Sequence, residues 1–325
     1  SRSIRRVVSN ALDACLGEMP ELFTRGELAR LSMPSGRAAI RELHRPTSMK
    51  AVARARRRMA FEEFFLMELA VILRRRSIKR LHDAPVIETS DAVHAHIRKR
   101  FPFRLTQAQE RAVGDILGDI ARPVPMTRLV QGDVGSGKTV VALYGMLASV
   151  AAGYQCAIMT PTEVLTEQHF PSIERYLAGS RVRWQLLTGA LSAGERRRAL
   201  ERIHEGEIDI VIGTQALIQK DVKFRNLGFV VVDEQHKFGV LQRARSRWQN
   251  AGAEKVMRPH YLVMTATPIP RTLALTVFGD LDVSVIDEMP PGRQAIATRW
   301  VLPDQAGTMY DHVRRQVDDG RQVYV

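Results

Sequence analysis

Apolar positions recur at helical spacing from Asn10 to about Leu81, through Leu12, Cys15 and Leu16, then Leu22, Leu28 and Leu31, and along a segment from Met49 to Arg80. Pro20, Pro34 and Pro46 punctuate these segments, and Thr47-Ser48 stands where the long helix needs a cap. The centre of that helix (Phe64, Phe65, Leu66, Leu69, Ile72, Leu73) is apolar on more than one face, which predicts cover by another domain or by its own hairpin. From Leu105 onward the texture changes. Short Val/Ile/Leu runs predict strands at Arg128–Gln131, Cys156–Thr160, Val182–Leu187, Ile208–Ile212, Phe229–Val232 and Tyr261–Thr265, and amphipathic stretches such as Glu163–Leu177 and Ala193–His204 lie between them. Continuous apolar strands alternating with helices predict an α/β domain, a parallel sheet covered on both faces. After Pro290-Pro291-Gly292, a strand-like Ile296–Leu302, a helical Asp304–Asp318 and a strand-like Arg321–Val325 begin another unit. The expected organisation is an all-α connector over 1–100, the α/β domain over 101–292, and the start of a second such domain over 293–325. With Ser1 at one end and a strand pattern at the other, the chain reads as an internal fragment of a longer protein.

Composition narrows the partners. The chain has 325 residues, 45% of them hydrophobic, enough for a proper core. Its longest apolar stretch, Phe64–Leu73, is broken by Glu68 and flanked by charge, so no membrane partner is expected, and no signal peptide is visible. Cys15 and Cys156 have neither metal-ligand nor redox spacing, which fits a cytoplasmic protein. The net charge of +13 suits a protein that meets a polyanion. Residues 1–104 carry +11 of it and the remainder only +2, so the footprint is mostly N-terminal. Arg54, Arg56, Arg57 and Arg58, like Arg74, Arg75 and Arg76, read either as polyanion contacts or as solvated helix faces. His94 and His96 lack a third ligand at useful spacing and read as surface histidines.

The candidate chemistry lies at strand ends. Gly132-Asp133-Val134-Gly135-Ser136-Gly137-Lys138-Thr139 is a complete Walker A loop between an apolar run and a helical stretch. Its glycines let the backbone wrap phosphate oxygens at a helix N-terminus, with Lys138 directed to the β/γ-phosphates and Thr139 to Mg²⁺. Asp233-Glu234-Gln235-His236 follows the apolar Phe229–Val232, the context of a Walker B acid. Asp233 is expected to hold the metal and Glu234 to orient or deprotonate the attacking water, since phosphoryl transfer asks mainly for positioning and charge stabilisation. Thr265-Ala266-Thr267 follows the next apolar strand, where hydroxyls are placed to bridge the Asp233 carboxylate to a second site.

This set resembles the superfamily 2 helicases, and among them the RecG family of bacterial branch-migration and fork-reversal DNA helicases. The resemblance runs in order and spacing through G-D-V-G-S-G-K-T (132–139), P-T-E-V-L-T-E-Q-H (161–169), I-G-T-Q-A-L (212–217), V-D-E-Q-H-K-F-G-V (232–240), T-A-T-P-I-P-R-T-L-A-L-T (265–276) and G-D-L-D-V-S-V-I-D-E-M-P-P-G-R (279–293). Arg41–Pro46 and Arg57–Glu63 also look like that family's helical connector. The resemblance implies RecA-like domains, ATP and Mg²⁺ as cofactors, and an ATP-dependent helicase or translocase that remodels branched duplex DNA (stalled forks, Holliday junctions) in recombination and repair. It implies that Phe103, Thr106 and Gln109 contact adenine and that Gln235 and His236 sense the γ-phosphate. It further implies that Pro161, Thr162, Glu163, Gly213, Thr214 and Gln215 touch the nucleic-acid backbone, whereas simple helix capping is the alternative for Thr162 and Thr214. Thr265, Ala266, Thr267 and Arg271 then link the two sites. A monomeric motor is expected, with a single-stranded-DNA-binding protein as a further partner the resemblance allows.

The family's wedge domain before Ser1 and its later motifs after Val325, an arginine finger among them, are absent, and Lys237 stands where the family has Arg. The expectation is an ATP-binding half-site that alone hydrolyses ATP weakly or not at all. Two other readings stay open: the translocase module of a transcription-repair coupling factor, and a non-hydrolytic nucleic-acid-binding module with a vestigial P-loop. Gln235 and the connector argue against the first, and intact Lys138, Thr139, Asp233 and Glu234 against the second.

Overall fold

A computed structural model describes residues 2–79, 82–233, 257–266, 281–290, 298, 300–302 and 305–324. Two compact units divide the chain, Ser1–Met289 and Pro290–Val325.

The first unit opens with four helices: α1 (Arg2–Cys15), α2 (Arg25–Arg30), α3 (Gly36–His44) and α4 (Met49–Lys79). Local capping sets their starts. Thr24 and Glu27 form a capping box at α2, Ser35 caps α3, and the Ser48 hydroxyl accepts from Ala51 N–H at 3.1 Å to start α4. Ala39 of α3 and Ala51 and Ala55 of α4 are buried, so small side chains let the two helices approach closely. Arg58 is fully enclosed at their end. It donates to Glu21 at 2.7 Å and to Glu62 at 2.5 Å, and its guanidinium lies 4.8 Å from the Phe23 ring centroid. Of the four arginines at 54–58 it is therefore a structural group, while Arg54, Arg56 and Arg57 face solvent.

The expected cover over α4 extends along only half its length. Phe23 packs its ring at 5.5 Å from Phe61 and 5.0 Å from Phe65, but Phe64, Leu66, Leu69, Ile72 and Leu73 are exposed. The short α2 and α3 end before reaching that second half of a helix of 31 residues.

Helices α5 (Asp91–Arg98) and α6 (Gln107–Ile120) lead into alternating elements: β1 (Thr127–Gly132), α7 (Lys138–Ala151), β2 (Gln155–Met159), α8 (Glu163–Leu177), β3 (Trp184–Leu187), α9 (Ala193–Glu205), β4 (Ile210–Gly213), a 3₁₀ turn (Gln215–Ile218), β5 (Leu227–Asp233), β6 (His260–Thr265) and β7 (Asp282–Ile286). The seven strands form one parallel sheet in the order β3-β4-β2-β5-β6-β1-β7. Successive strand residues point to opposite faces. Val130, Ile158, Ile212, Val231 and Met264 meet α6, α7 and α8, whereas Leu129, Ala157, Val211, Val230 and Val263 meet α9 and the 217–224 segment. This two-sided burial explains the continuous apolar runs and gives the RecA-like α/β fold expected from the sequence.

The sheet departs from expectation at both edges. The strand expected from Val182 starts at Trp184, because Arg183 N–H is spent on the Asp209 carboxylate at 2.7 Å rather than on a ladder. β7 is a strand that the pattern of apolar runs does not predict. Its Val283 and Val285 are exposed while Ser284 is buried, so its apolar alternation points away from the core. Pairing with β1 makes it a strand all the same.

The amino ends of the strands are stitched to the segment before α5. His260 is fully buried, accepts from Met126 N–H at Nδ1 (3.1 Å) and donates from Nε2 to Pro85 O (2.7 Å). Ala84 N–H and Ile87 N–H donate to Pro123 O and Ile120 O, and Arg258 bonds Asp83.

In the second unit, α10 (Ala306–Asp318) is the helix expected from Asp304 onward, and none of its residues is buried. Among the described residues of Ile296–Leu302 and Arg321–Val325 there is no strand, contrary to the alternation. A strand exists only against a neighbour that completes its hydrogen bonds, and the described residues of this unit offer none.

Candidate nucleotide and nucleic-acid site

Parallel strands place their carboxyl ends along one edge of the sheet, and the candidate residues gather there. The register sets Gln131 beside Thr265, Gly132 beside Ile286, and Asp233 beside Met264. One strand, β6, stands between the strand of the Walker A loop and that of Asp233. Two strand spacings separate these ends, about 10 Å, room for a phosphate chain with its metal.

The Walker A loop is shaped by its glycines and its lysine. Gly135 (φ 82°) and Gly137 (φ 89°) are left-handed, and Gly137 is the N-cap of α7. A Cβ on Gly137 would meet Gln109 Nε2 at 2.3 Å, so this position is restricted by packing as well as by backbone. The Lys138 ammonium donates to the carbonyls of Gly132 (2.7 Å) and Asp133 (2.8 Å) within its own loop. Ser136 is buried, and its hydroxyl has no hydrogen-bond partner. Asp133, Val134 and Gly135 are exposed at the loop's tip, and Thr139 is half-buried in the first turn of α7. Left-handed glycines, the Lys138 ammonium and a helix N-terminus make a cradle that fits a triphosphate.

Gln109 is turned into this loop. Its side chain is 1% exposed, its Nε2 donates to Ser136 O at 2.7 Å, and its Oε1 accepts from Thr106 N–H at 2.9 Å. Thr106 completes the capping box at the start of α6 by accepting from Gln109 N–H. Phe103 is exposed, with Phe101 at 6.1 Å and Tyr176 at 6.2 Å between ring centroids. His94, close by, has both ring nitrogens engaged, by Thr89 at 2.9 Å and Tyr144 at 3.1 Å, so it is a packed residue rather than a surface one.

The nucleic-acid candidates occupy the ends of the neighbouring strands β2 and β4. Pro161 is half-buried, whereas Thr162 and Glu163 are exposed at the start of α8. Glu163 accepts from Gly189 N–H at 2.8 Å, tying that turn to the β3 end. The Thr162 carbonyl accepts from Thr166 N–H, as the first helical bond requires. Gly213 N–H and carbonyl lie in the ladder, with Thr160 N–H on the carbonyl at 2.9 Å. Thr214 precedes the 3₁₀ turn without a side-chain cap bond, and Gln215 is exposed. Capping therefore does not account for the Thr214 hydroxyl.

Asp233 and Thr265 are buried at the strand ends, and Ala266 follows half-buried. Glu234, Gln235, His236, Thr267 and Arg271 lie outside the described residues.

Sequence patterns did not point to a polar brace behind the loop. Arg128 of β1 is buried and donates to Asp119 (2.9 Å), Asp115 (3.3 Å) and Ser284 (2.8 Å), and Ser284 in turn donates to Asp115 at 2.6 Å. A charged residue opening an otherwise apolar strand was the available signal.

A P-loop strand and an acidic strand end, one strand apart at the carboxyl edge of a RecA-like sheet, are the core of a helicase motor domain. The family profile for DEAD/DEAH box helicases matches residues 106–276, and the chain belongs to that family. Within it, the chain is similar to RecG. It is 40% identical to the ATP-dependent DNA helicase RecG of Aquifex aeolicus over 100% of this chain and 41% of that protein. To that of Synechocystis sp. it is 46% identical over 88% of this chain and 34% of that protein. The structure of RecG bound to a three-way DNA junction superposes with a TM-score of 0.79 at 36% identity, covering 98% of this chain and 42% of that one. The chain thus spans less than half the length of the relatives it matches.

Proposed function

We propose that this chain is the ATP-binding part of an ATP-dependent DNA helicase or translocase that remodels branched duplex DNA, stalled forks and four-way junctions, in cytoplasmic recombination and repair. The observation that carries the reading is the Walker A cradle on the same strand edge as Asp233, with Lys138 resting on loop carbonyls. Similarity to RecG, one member of which is solved on a three-way junction, supports the choice of DNA.

In this reading the left-handed Gly135 and Gly137, with Asp133, Val134 and Ser136, wrap the phosphates. Lys138 reaches the anionic β/γ-phosphate oxygens in a charge-assisted bond. Thr139 and Asp233 hold Mg²⁺, which when bound neutralises charge on the phosphate oxygens. Glu234 orients the attacking water, and Gln235 and His236 report the γ-phosphate. Phe103 and Thr106 face the base, and Gln109 acts there by bracing Ser136. Pro161, Thr162, Glu163, Gly213, Thr214 and Gln215 grip the nucleic-acid backbone without reading sequence. Thr265, Ala266, Thr267 and Arg271 couple the two sites across β6.

The test is ATP hydrolysis by the complete protein with a three-way junction, with linear duplex as control. Stimulation by the junction above the duplex supports the reading. Hydrolysis indifferent to DNA overturns the choice of DNA, and absent hydrolysis overturns the reading in favour of a binding module with a non-hydrolytic P-loop.

A further inference from the structure

Past β7 the chain runs through Asp287, Glu288 and Met289, the covalent path from the first compact unit to the second. Asp287 and Glu288 are fastened to the start of α6. Ala108 N–H donates to Glu288 Oε2 at 3.1 Å, and Arg111 donates to Asp287 Oδ1 at 2.9 Å while its other terminal nitrogen lies 3.8 Å from Glu288 Oε1. A carboxylate there satisfies an N–H that the helix leaves unpaired and opposes the positive end of its dipole.

The same helical turn carries Gln109, whose amide holds the Ser136 carbonyl of the phosphate loop at 2.7 Å. Ala108, Gln109 and Arg111 fall within one turn, so the tether and the phosphate loop grip one rigid segment from two sides. The end of β7, from which the tether leaves, also abuts the loop: a Cβ on Gly132, the first residue of the loop, would meet the Ile286 carbonyl at 3.0 Å. Deeper in the fold the Arg128, Asp115 and Ser284 brace fixes the rest of α6 to β1 and β7. Displacement of residues 287–289 is therefore transmitted to the first turn of α6 and through Gln109 to Ser136.

We infer that Glu288 is a positioning residue for the nucleotide site: held on Ala108 N–H, it makes the set of the phosphate loop depend on the tether to the second unit. The inference rests on the hydrolytic reading above for its consequence in rate, and on the hydrogen bonds alone for its consequence in structure. Glu288 touches no reacting atom and acts through α6.

Two measurements on the complete protein test it. In junction-stimulated hydrolysis, Glu288→Ala lowers kcat about five-fold and leaves KM for Mg-ATP within about two-fold, the size expected from losing one cap-like bond. Glu288→Gln, which keeps an acceptor oxygen, recovers more than half of the loss. An unchanged kcat, a raised KM at full kcat, or equal losses in both variants together with lowered melting temperatures would overturn the inference. The second measurement is amide hydrogen exchange with and without the non-hydrolysable analogue AMP-PNP, and it does not depend on turnover. Nucleotide raises protection of 107–111 and 287–289 together in the parent protein, and only of 107–111 in Glu288→Ala. Residues 287–289 indifferent to nucleotide overturn the latch even if hydrolysis is normal. Shared protection in a protein that fails to hydrolyse ATP overturns the proposed function and upholds the latch.

Discussion

The two ends of the parallel sheet spend their polar groups differently. At the amino ends, His260 is neutral and buried with both ring nitrogens used, one by Met126 N–H and one by Pro85 O. At the carboxyl ends, Lys138 leans on carbonyls of its own loop, the Ser136 hydroxyl is buried without a hydrogen-bond partner, and Val134 stands 70% exposed. A buried neutral group with both hydrogen bonds made is a fastening, whereas a buried hydroxyl left without a partner beside a helix N-terminus is a group that an anion can satisfy. Stability therefore concentrates at one end and binding at the other, with Arg128 running between them.

The largest expected effect lies at the carboxyl end. Lys138→Ala removes the cation of the cradle and is expected to lower ATP turnover about 10³-fold while leaving the thermal midpoint nearly unchanged, as read by a coupled ATPase assay and circular dichroism. A comparable loss of stability would break the division between the two ends. Next comes the brace between them. Arg128→Leu leaves half-buried Asp119 only the longer contact with Arg122 at 3.9 Å and is expected to cost about 3 kcal/mol in urea unfolding, the low end of the penalty for breaking a buried ion pair from one side.

The amino end is expected to answer to pH. Burial pushes His260 down from the ordinary 6.5 to about 4, against the smaller opposing pull of its bond to Pro85 O. Above pH 6.5 both states are neutral there and its contribution is complete. As pH falls from 6.5 toward 4, the unfolded chain takes up a proton that the folded one refuses, so up to about 3 kcal/mol is lost. Urea midpoints from pH 7 to pH 4.5 check this, with His260→Asn expected to flatten the slope. The smallest effect sharpens the comparison from the exposed side: Arg111 and Asp287 are each more than half exposed, and Asp287→Ala is expected to change unfolding free energy by about 0.5 kcal/mol or less.

How much was legible in the sequence follows from which interactions are local. The P-loop announces itself because its residues are contiguous and each is set by backbone geometry, such as φ +89° at Gly137. The inner strands were legible for the same reason, since burial on both faces makes each a continuous apolar run. β7 was not, because Ser284 is buried as a partner of Arg128 while Val283 and Val285 face outward. The strands expected in the second unit carry the right alternation, but among the described residues nothing pairs with it. Gln109 was legible as a site residue, yet its direction toward Ser136 was not, because that bond crosses from one helix to the start of another.

By itself, then, the sequence determined the class of fold, the Walker A loop, the helicase family and the caps that begin the helices, all features encoded in contiguous or regularly spaced residues. Only the tertiary structure decided that Arg58 is interior, that large apolar side chains in the second half of α4 are exposed, and that the turn of α6 capped by Glu288 also carries the Gln109 side chain that holds Ser136. Those outcomes depend on partners up to 180 residues apart, and hydrogen bonds and burial between such partners leave no periodic trace along the chain.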